Sequence, residues 1–318
     1  MKREELGMRN EELGVRNSKV RDKFSFCPVS ALTFLFLLFS FLLFNCSSAP
    51  QPTGEIYTDR NQSMTQMDLA NRAASRGQYD NALQLMEEAR RLAVSSDDPN
   101  LRVRTSIGRG DILFSLGPPG SREEAFKEWD NASKEGDASG LPALAALARI
   151  YAIRAKLVML ANGMMIDVGA EELWTQLNPE MAVVKDDEIS SAITNITLGL
   201  AEKALGRSVE AENAVKKALD IHVKNLRLED AAYDWFLIAS IRSVAGNYDG
   251  ALEALGTAIS YDRRVENGFG LASSWEAMGD VYSKAGRLQD ARDAWRRAAE
   301  IYEAIGLPAY AERIESQL

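Results

Sequence analysis

Cys27, Cys46 and His222 are the only cysteines and the only histidine in these 318 residues. A tetrahedral zinc site of the usual kind needs three or four such ligands, so that chemistry is excluded and no metal ligand is assigned. His222 stands between Ile221 and Val223 near the expected end of a helix. It could serve as one acid or base acting alone, and packing is the simpler role for it. Acidic pairs such as Asp186-Asp187 and Glu123-Glu124 fall where helices start, where carboxylates suit the helix dipole. No Gly-x4-Gly-Lys phosphate loop occurs, and "NGFG" at 267–270 is too little for a dinucleotide site. The tripeptide "RGD" at 109–111 would be helical, with Gly110 needed as a small buried residue. No catalytic residue and no cofactor are assigned, and the chain reads as a non-enzyme.

Cys46 is different because of where it stands. In "LFLLFSFLLFNCSSAPQPTG", residues 35–54, it marks the seam between an apolar run and a polar one. Ala31 to Phe44 is apolar apart from Thr33 and Ser40. These fourteen residues are fewer than the roughly 20 a spanning helix needs. Lys19, Arg21 and Lys23 precede it, which gives the charged flank of a secretory signal. Leu43-Phe44-Asn45-Cys46 resembles the lipobox of bacterial lipoproteins. The resemblance implies cleavage before Cys46 and acylation of its thiol, with chains such as palmitate acting as a membrane anchor. Phe44 and Asn45 depart from the small residues usual there. The competing reading is an uncleaved anchor from Phe24 to Phe44, interrupted by Ser25, Pro28 and Ser30. If the chain is cut, Cys27 leaves with the signal and no internal disulfide is possible. The tandem "EELGMRN" and "EELGVRN" at the start is too short for a coiled coil, and a start near Val20 would leave a signal of ordinary length.

The elements behind these groups are set by composition and repetition. Hydrophobic residues make up 46% of the chain, enough for a sizeable core. Residues 46–318 carry 30 basic and 41 acidic side chains without a long basic run, which argues against nucleic acid as a partner. Residues 46–64 are rich in Ser, Pro, Gln, Thr and Asn and read as a flexible tether. Beyond them the chain resembles itself at an interval of forty. Gly206, Gly246 and Gly286 repeat at that spacing, as do Ala211, Ala251 and Ala291, and Gly117 lies forty beyond Gly77.

These residues resemble the tetratricopeptide repeat in a long-period form. The last copy carries Trp275, Met278, Gly279 and Tyr282 on its first helix and Ala291, Trp295 and Ala298 on its second. Small residues let two antiparallel helices approach while large ones fill the next layer. On this reading Gly77, Ala82, Gly110, Ala125, Gly199, Ala211, Trp235 and Ala251 hold the same packing roles in earlier copies. Ser121 and Glu124 read as a capping box for a second helix. Pro142 to Ala161 reads as one long helix stopped by Asn162-Gly163. Residues 164–188 are either a degenerate repeat or an insertion. The expected architecture is therefore all-α: a signal segment at 1–45, the tether at 46–64, a helical-hairpin solenoid at 65–304 and a capping helix at 305–318.

The resemblance implies a concave face lined by the first helix of each copy. Three places before the close-packing Ala or Gly, the copies carry Met67, Ile107, Ile196, Phe236 and Glu276. Four of the five are apolar, so a charged clamp for peptide C-termini is not expected. The groove is either open to an apolar ligand or helix, or filled by the chain's own Met164, Met165 and Ile166. The leading expectation is a lipid-tethered, periplasm-facing scaffold for protein partners in a bacterial envelope, with Ser47 after the cysteine favouring the outer membrane. The alternative is an accessory lipoprotein of a periplasmic-binding-protein-dependent transporter, holding an apolar ligand in its channel.

Overall fold

Each repeat turns on a backbone geometry that only glycine takes up without strain. Gly206, Gly246 and Gly286 have φ of +75°, +78° and +76°. In each case the next residue's N–H returns to a carbonyl of the finished helix, as in Arg207 N–H to Glu202 O at 2.8 Å. That closes the first helix of a hairpin and reverses the chain. The computed structural model describes residues 58–117 and 119–316. Cys46 and the signal segment lie outside the described residues.

Six hairpins follow one another. They are α1 (Thr58–Ser75) with α2 (Tyr79–Ser95), α3 (Pro99–Leu116) with α4 (Pro119–Ala138), and α5 (Pro142–Ala161) with α6 (Ala170–Val184). Next come α7 (Glu188–Ala204) with α8 (Ser208–Lys224), α9 (Leu228–Val244) with α10 (Tyr248–Arg264), and α11 (Gly268–Lys284) with α12 (Leu288–Ala304). A short α13 (Pro308–Glu315) covers the last pair. The fold is thus an all-α solenoid with a capping helix.

Within a hairpin, close approach depends on a missing methyl group. A Cβ on Gly110 would lie 2.5 Å from Nε1 of Trp129, and one on Gly279 would lie 2.4 Å from Cδ1 of Trp295. Gly199 meets Val215 in the same way at 2.5 Å. The facing alanines Ala82, Ala125, Ala211, Ala251 and Ala291 are fully buried. Trp129 is 1% exposed and donates its indole N–H to Ile107 O at 3.1 Å. Trp235, Trp275, Trp295 and Tyr282 are only half-buried, so the core depends more on alanine and aliphatic contacts than on stacked tryptophans. Arg297 lies over the Trp275 ring at 4.8 Å.

Several boundaries differ from expectation for identifiable reasons. The first helix starts at Thr58, inside the stretch 46–64 read as tether. Its packing residue there is polar: Ser63 is fully buried and donates to Ala89 O at 2.8 Å. Helix α4 begins at Pro119, so Ser121 sits inside the first turn and not at the cap, while Glu124 accepts from Arg109 at 2.6 Å. Residues 164–188 complete a hairpin, since α6 buries Leu173, Leu177 and Val184 against α5 and α7. It tolerates Pro179 within the helix, and an eight-residue loop at 162–169 replaces the usual tight turn.

Candidate functional site

The first helices α1, α3, α5, α7, α9 and α11 all present one face to a common cavity of about 420 Å³. On α7 the face is Ile189, Ile193 and Ile196, and on α9 it is Glu229, Tyr233 and Phe236. That i, i+4, i+7 spacing is one stripe of a helix. The next copy continues it with Phe269 and Ser273 on α11. Opposite, α3 and α5 contribute Asp111, Tyr151 and Arg154, and these also border an adjoining cavity of about 440 Å³.

The cavity is bounded because the solenoid closes on itself. The turn after α1 meets the start of α9, where Ser75 Oγ is 3.2 Å and Arg76 3.5 Å from the Glu229 carboxylate. Gly77 lies against the Phe269 ring and the Leu307 side chain, and the approach needs glycine, because a Cβ there would lie 2.8 Å from Phe269 Cδ2. Tyr79 meets Phe269 edge-on at 6.4 Å, and Phe269 in turn contacts Tyr302 and Tyr310 at 5.9 and 5.8 Å. Tyr302 and Tyr310 stack at 5.1 Å. One aromatic cluster therefore joins the first hairpin, the sixth and the capping helix.

Charge inside the cavity is mostly paired. Arg154 forms an ion pair with Asp111, and its guanidinium lies 4.5 Å from the centre of the Tyr151 ring. Burial opposes charge on Arg154, but the Asp111 carboxylate holds it protonated, and its pKa rises. Burial first, and then Asp111, raise the pKa of Tyr151; burial likewise raises that of Tyr233. Tyr79 is pushed up to about 12 by burial, Tyr310 and Asp111. All three phenols therefore stay neutral and can donate hydrogen bonds. Arg227 pairs with Asp230 at 2.5 Å.

Two buried polar groups stand out from this pairing. Asp262 is 3% exposed and accepts from Asn267 Nδ2 at 2.9 Å. Burial, together with the negative charge of Glu229, pushes its pKa up to about 7 against the Asn267 bond that lowers it. His222, also 3% exposed, has its Nδ1 2.6 Å from Asp234 Oδ2. Burial raises the pKa of Asp234, and His222 counteracts this. The other oxygen, Asp234 Oδ1, is buried without a hydrogen-bond partner among the described residues.

The sequence-derived groove residues divide. Ile196 and Phe236 line the cavity. Met67 packs with the α1–α2 core and Ile107 with the core of α3 to α5. Glu276 turns to the capping helix, where Arg313 donates to it at 2.6 and 3.0 Å. Met67, Ile107, Ile196 and Phe236 therefore do not form one continuous apolar lining. Met164, Met165 and Ile166 do not fill the 420 Å³ cavity: Met165 is 99% exposed, Ile166 packs onto the α5–α6 core, and Met164 sits at the adjoining cavity beside Arg122. On α7 and α9 the position three places before the close-packing Gly or Ala is one of several that face inward. The rows at ten and six places before it supply Glu229, Phe269, Tyr233 and Ser273. Asp262 and His222 come from second helices and carry their own signal, a polar residue at one buried position of consecutive copies. Among the described residues no group of His, Cys, Asp and Glu is placed to hold a metal ion, and no helix is long and apolar enough to cross a membrane.

Comparison with known families agrees with this geometry. Tetratricopeptide-repeat models match residues 229–304 and residues 63–95. The chain therefore carries tetratricopeptide repeats, and the architecture is a tetratricopeptide-like solenoid. Among solved structures it is similar to the Rap protein complexed with competence and sporulation factor, at 14% identity and a TM-score of 0.53. That match covers 81% of this chain and 74% of the other. It is similar also to the apo form of RapI, at 12% identity and a TM-score of 0.50, covering 80% of this chain and 71% of that one. At these identities the likeness concerns the fold. No curated protein sequence matches the chain.

Proposed function

We propose that this chain is a non-enzymatic scaffold, lipid-anchored through Cys46 on the periplasmic side of a bacterial envelope, that binds a segment of a protein partner within its concave cavity. The observation that carries the binding half is the cavity itself, walled by six first helices and bounded by the seam between the first and last hairpins. Its rim offers neutral phenols, serines and amides, groups that bond to peptide backbone in any sequence. Tetratricopeptide solenoids bind protein partners, and the Rap protein of the same fold was crystallised with competence and sporulation factor. A mixed polar lining counts against the alternative of an apolar ligand in a transporter accessory.

The anchoring half is supported by the order of charged flank, fourteen-residue apolar core and cysteine in the sequence. Two acyl chains suffice for stable attachment at about 0.8 kcal/mol per buried CH2. Cys46→Ala should abolish incorporation of labelled fatty acid and release the chain from membranes; retention in the membrane fraction would favour the uncleaved anchor. For the binding half, partners that co-purify with the wild type should be lost from Phe236→Ala while the Tm stays within a few degrees. Unchanged co-purification would place the binding surface elsewhere.

A further inference from the structure

The cavity is lined by four carboxylates, Asp111, Glu229, Asp230 and Asp262, and by two guanidiniums, Arg154 and Arg227. Asp111 is spoken for by Arg154, and Asp230 by Arg227. Glu229 accepts from the neutral Ser75 hydroxyl at 3.2 Å, and its cationic contact among the described residues is a long one of 3.5 Å to the part-exposed Arg76. Asp262 has a neutral partner, Asn267, and no cation beside it among the described residues. A buried carboxyl normally keeps a cationic partner, because an unpaired charge away from water is costly. Here the place such a partner would occupy is open cavity.

The surrounding walls fit an organic cation. Tyr233 and Phe236 stack at 6.3 Å with 12° between their planes, and Phe269 stands on the neighbouring helix of the same cavity. Aromatic faces attract ammonium and guanidinium groups and cover the methylene stem behind them. His222 adds a second buried group at the wall: its Nδ1 is taken by Asp234, and among the described residues nothing bonds its Nε2.

Resting on the concave-face reading above, we infer that this cavity takes an amine- or guanidinium-bearing chain, with Asp262 and Glu229 receiving the cation and Tyr233, Phe236 and Phe269 packing on its stem. The raised pKa of Asp262 agrees with a carboxyl that waits for a counter-ion. The polarity is the reverse of a clamp for peptide C-termini, which needs unpaired basic groups.

The test uses the full chain in detergent and calorimetric titration with three probes: Ac-Ala-Lys-Ala-NH2, Ac-Ala-Glu-Ala-NH2 and cadaverine. The lysine peptide should bind at least tenfold more tightly than the glutamate peptide, and Asp262→Asn, which keeps the shape and the Asn267 contact, should weaken it by about tenfold. Cadaverine binding above the lysine peptide would identify a free amine as the source of the cation; the opposite order would identify a basic side chain of a partner. Equal affinity for the lysine and glutamate peptides would overturn the inference. So would undiminished lysine-peptide binding by a folded Asp262→Asn chain. A partner still lost on Phe236→Ala but indifferent to Asp262→Asn would overturn the cation and leave concave-face binding standing. Lysine-peptide binding without any such partner would do the reverse.

Discussion

His222 and Asp262 occupy the same position of consecutive repeats, each two residues before the end of its helix, and both line the concave cavity while remaining 3% exposed. The next copy places Tyr302 there, where it meets Ser273 Oγ at 3.0 Å. One buried position has thus been given three different polar groups: His222 and Asp262 bond to the helix or helix start that follows, and Tyr302 to the first helix of its own hairpin. Such positions ordinarily hold apolar side chains, and polar ones there cost stability unless satisfied.

The raised pKa of Asp262 makes stability fall as pH rises. The folded chain holds the proton up to about pH 7, whereas the unfolded chain releases it near the ordinary value of 3.8. Between those values the native state binds more protons, so this group's contribution to stability falls as pH rises and levels off above pH 7. Asp262→Asn removes the titration and keeps the hydrogen bond to Asn267. The variant should gain on the order of 2–4 kcal/mol over the wild type at pH 8 and much less at pH 5. Chemical denaturation at the two pH values reads this, and an equal gain at both would contradict it.

The His222–Asp234 pair should behave as a unit. His222→Leu leaves a fully buried carboxyl with no partner and should cost about 3 kcal/mol or more. Replacing both residues by Leu should cost clearly less than the two single changes added together, which a double-mutant cycle measures.

Gly110 and Gly279 face equivalent indoles, yet an added methyl group should be felt differently. Trp129 is buried and held by its bond to Ile107 O, so it has nowhere to go. Trp295 is half-exposed and bonded to the surface residue Asp280 at 3.0 Å, so its ring can swing aside. Gly110→Ala should therefore cost near the top, and Gly279→Ala near the bottom, of the roughly 1–3 kcal/mol range for overpacking. Thermal melts of the two variants check the order.

The second helices α8 and α10 end in left-handed geometry without glycine, at Leu226 with φ +56° and Glu266 with φ +54°. Leu226 is also largely exposed and makes little use of its side chain. Leu226→Gly should be neutral or raise stability by up to about 1 kcal/mol, as measured by denaturant midpoint.

Local rules made the hairpins readable in the sequence: the turn glycines at 206, 246 and 286, and the bounds of α5 at Pro142 and Ala161, where Pro starts and Asn-Gly stops a helix. Helix α6 was obscured by its long loop and by Pro179. Ser63 hid the true start of α1 because a polar side chain supplies its packing. The cavity was only partly legible. Ile196 and Phe236 were found by counting back from a small residue, but which positions of each first helix face inward depends on how the superhelix winds. The contact of Tyr79 with Phe269, residues 190 apart, follows from that winding and leaves no local trace.

On the proposed function, the concave cavity and not the outer surface receives the partner. Site-specific photo-crosslinking in cells tests it most directly, with the photoreactive residue at Tyr233 inside the cavity and, for comparison, at the exposed Val209 at the start of α8. Position 233 should give a discrete crosslinked species that is missing from position 209 and is lost on adding Phe236→Ala. A species formed from position 209 and never from 233 would contradict it.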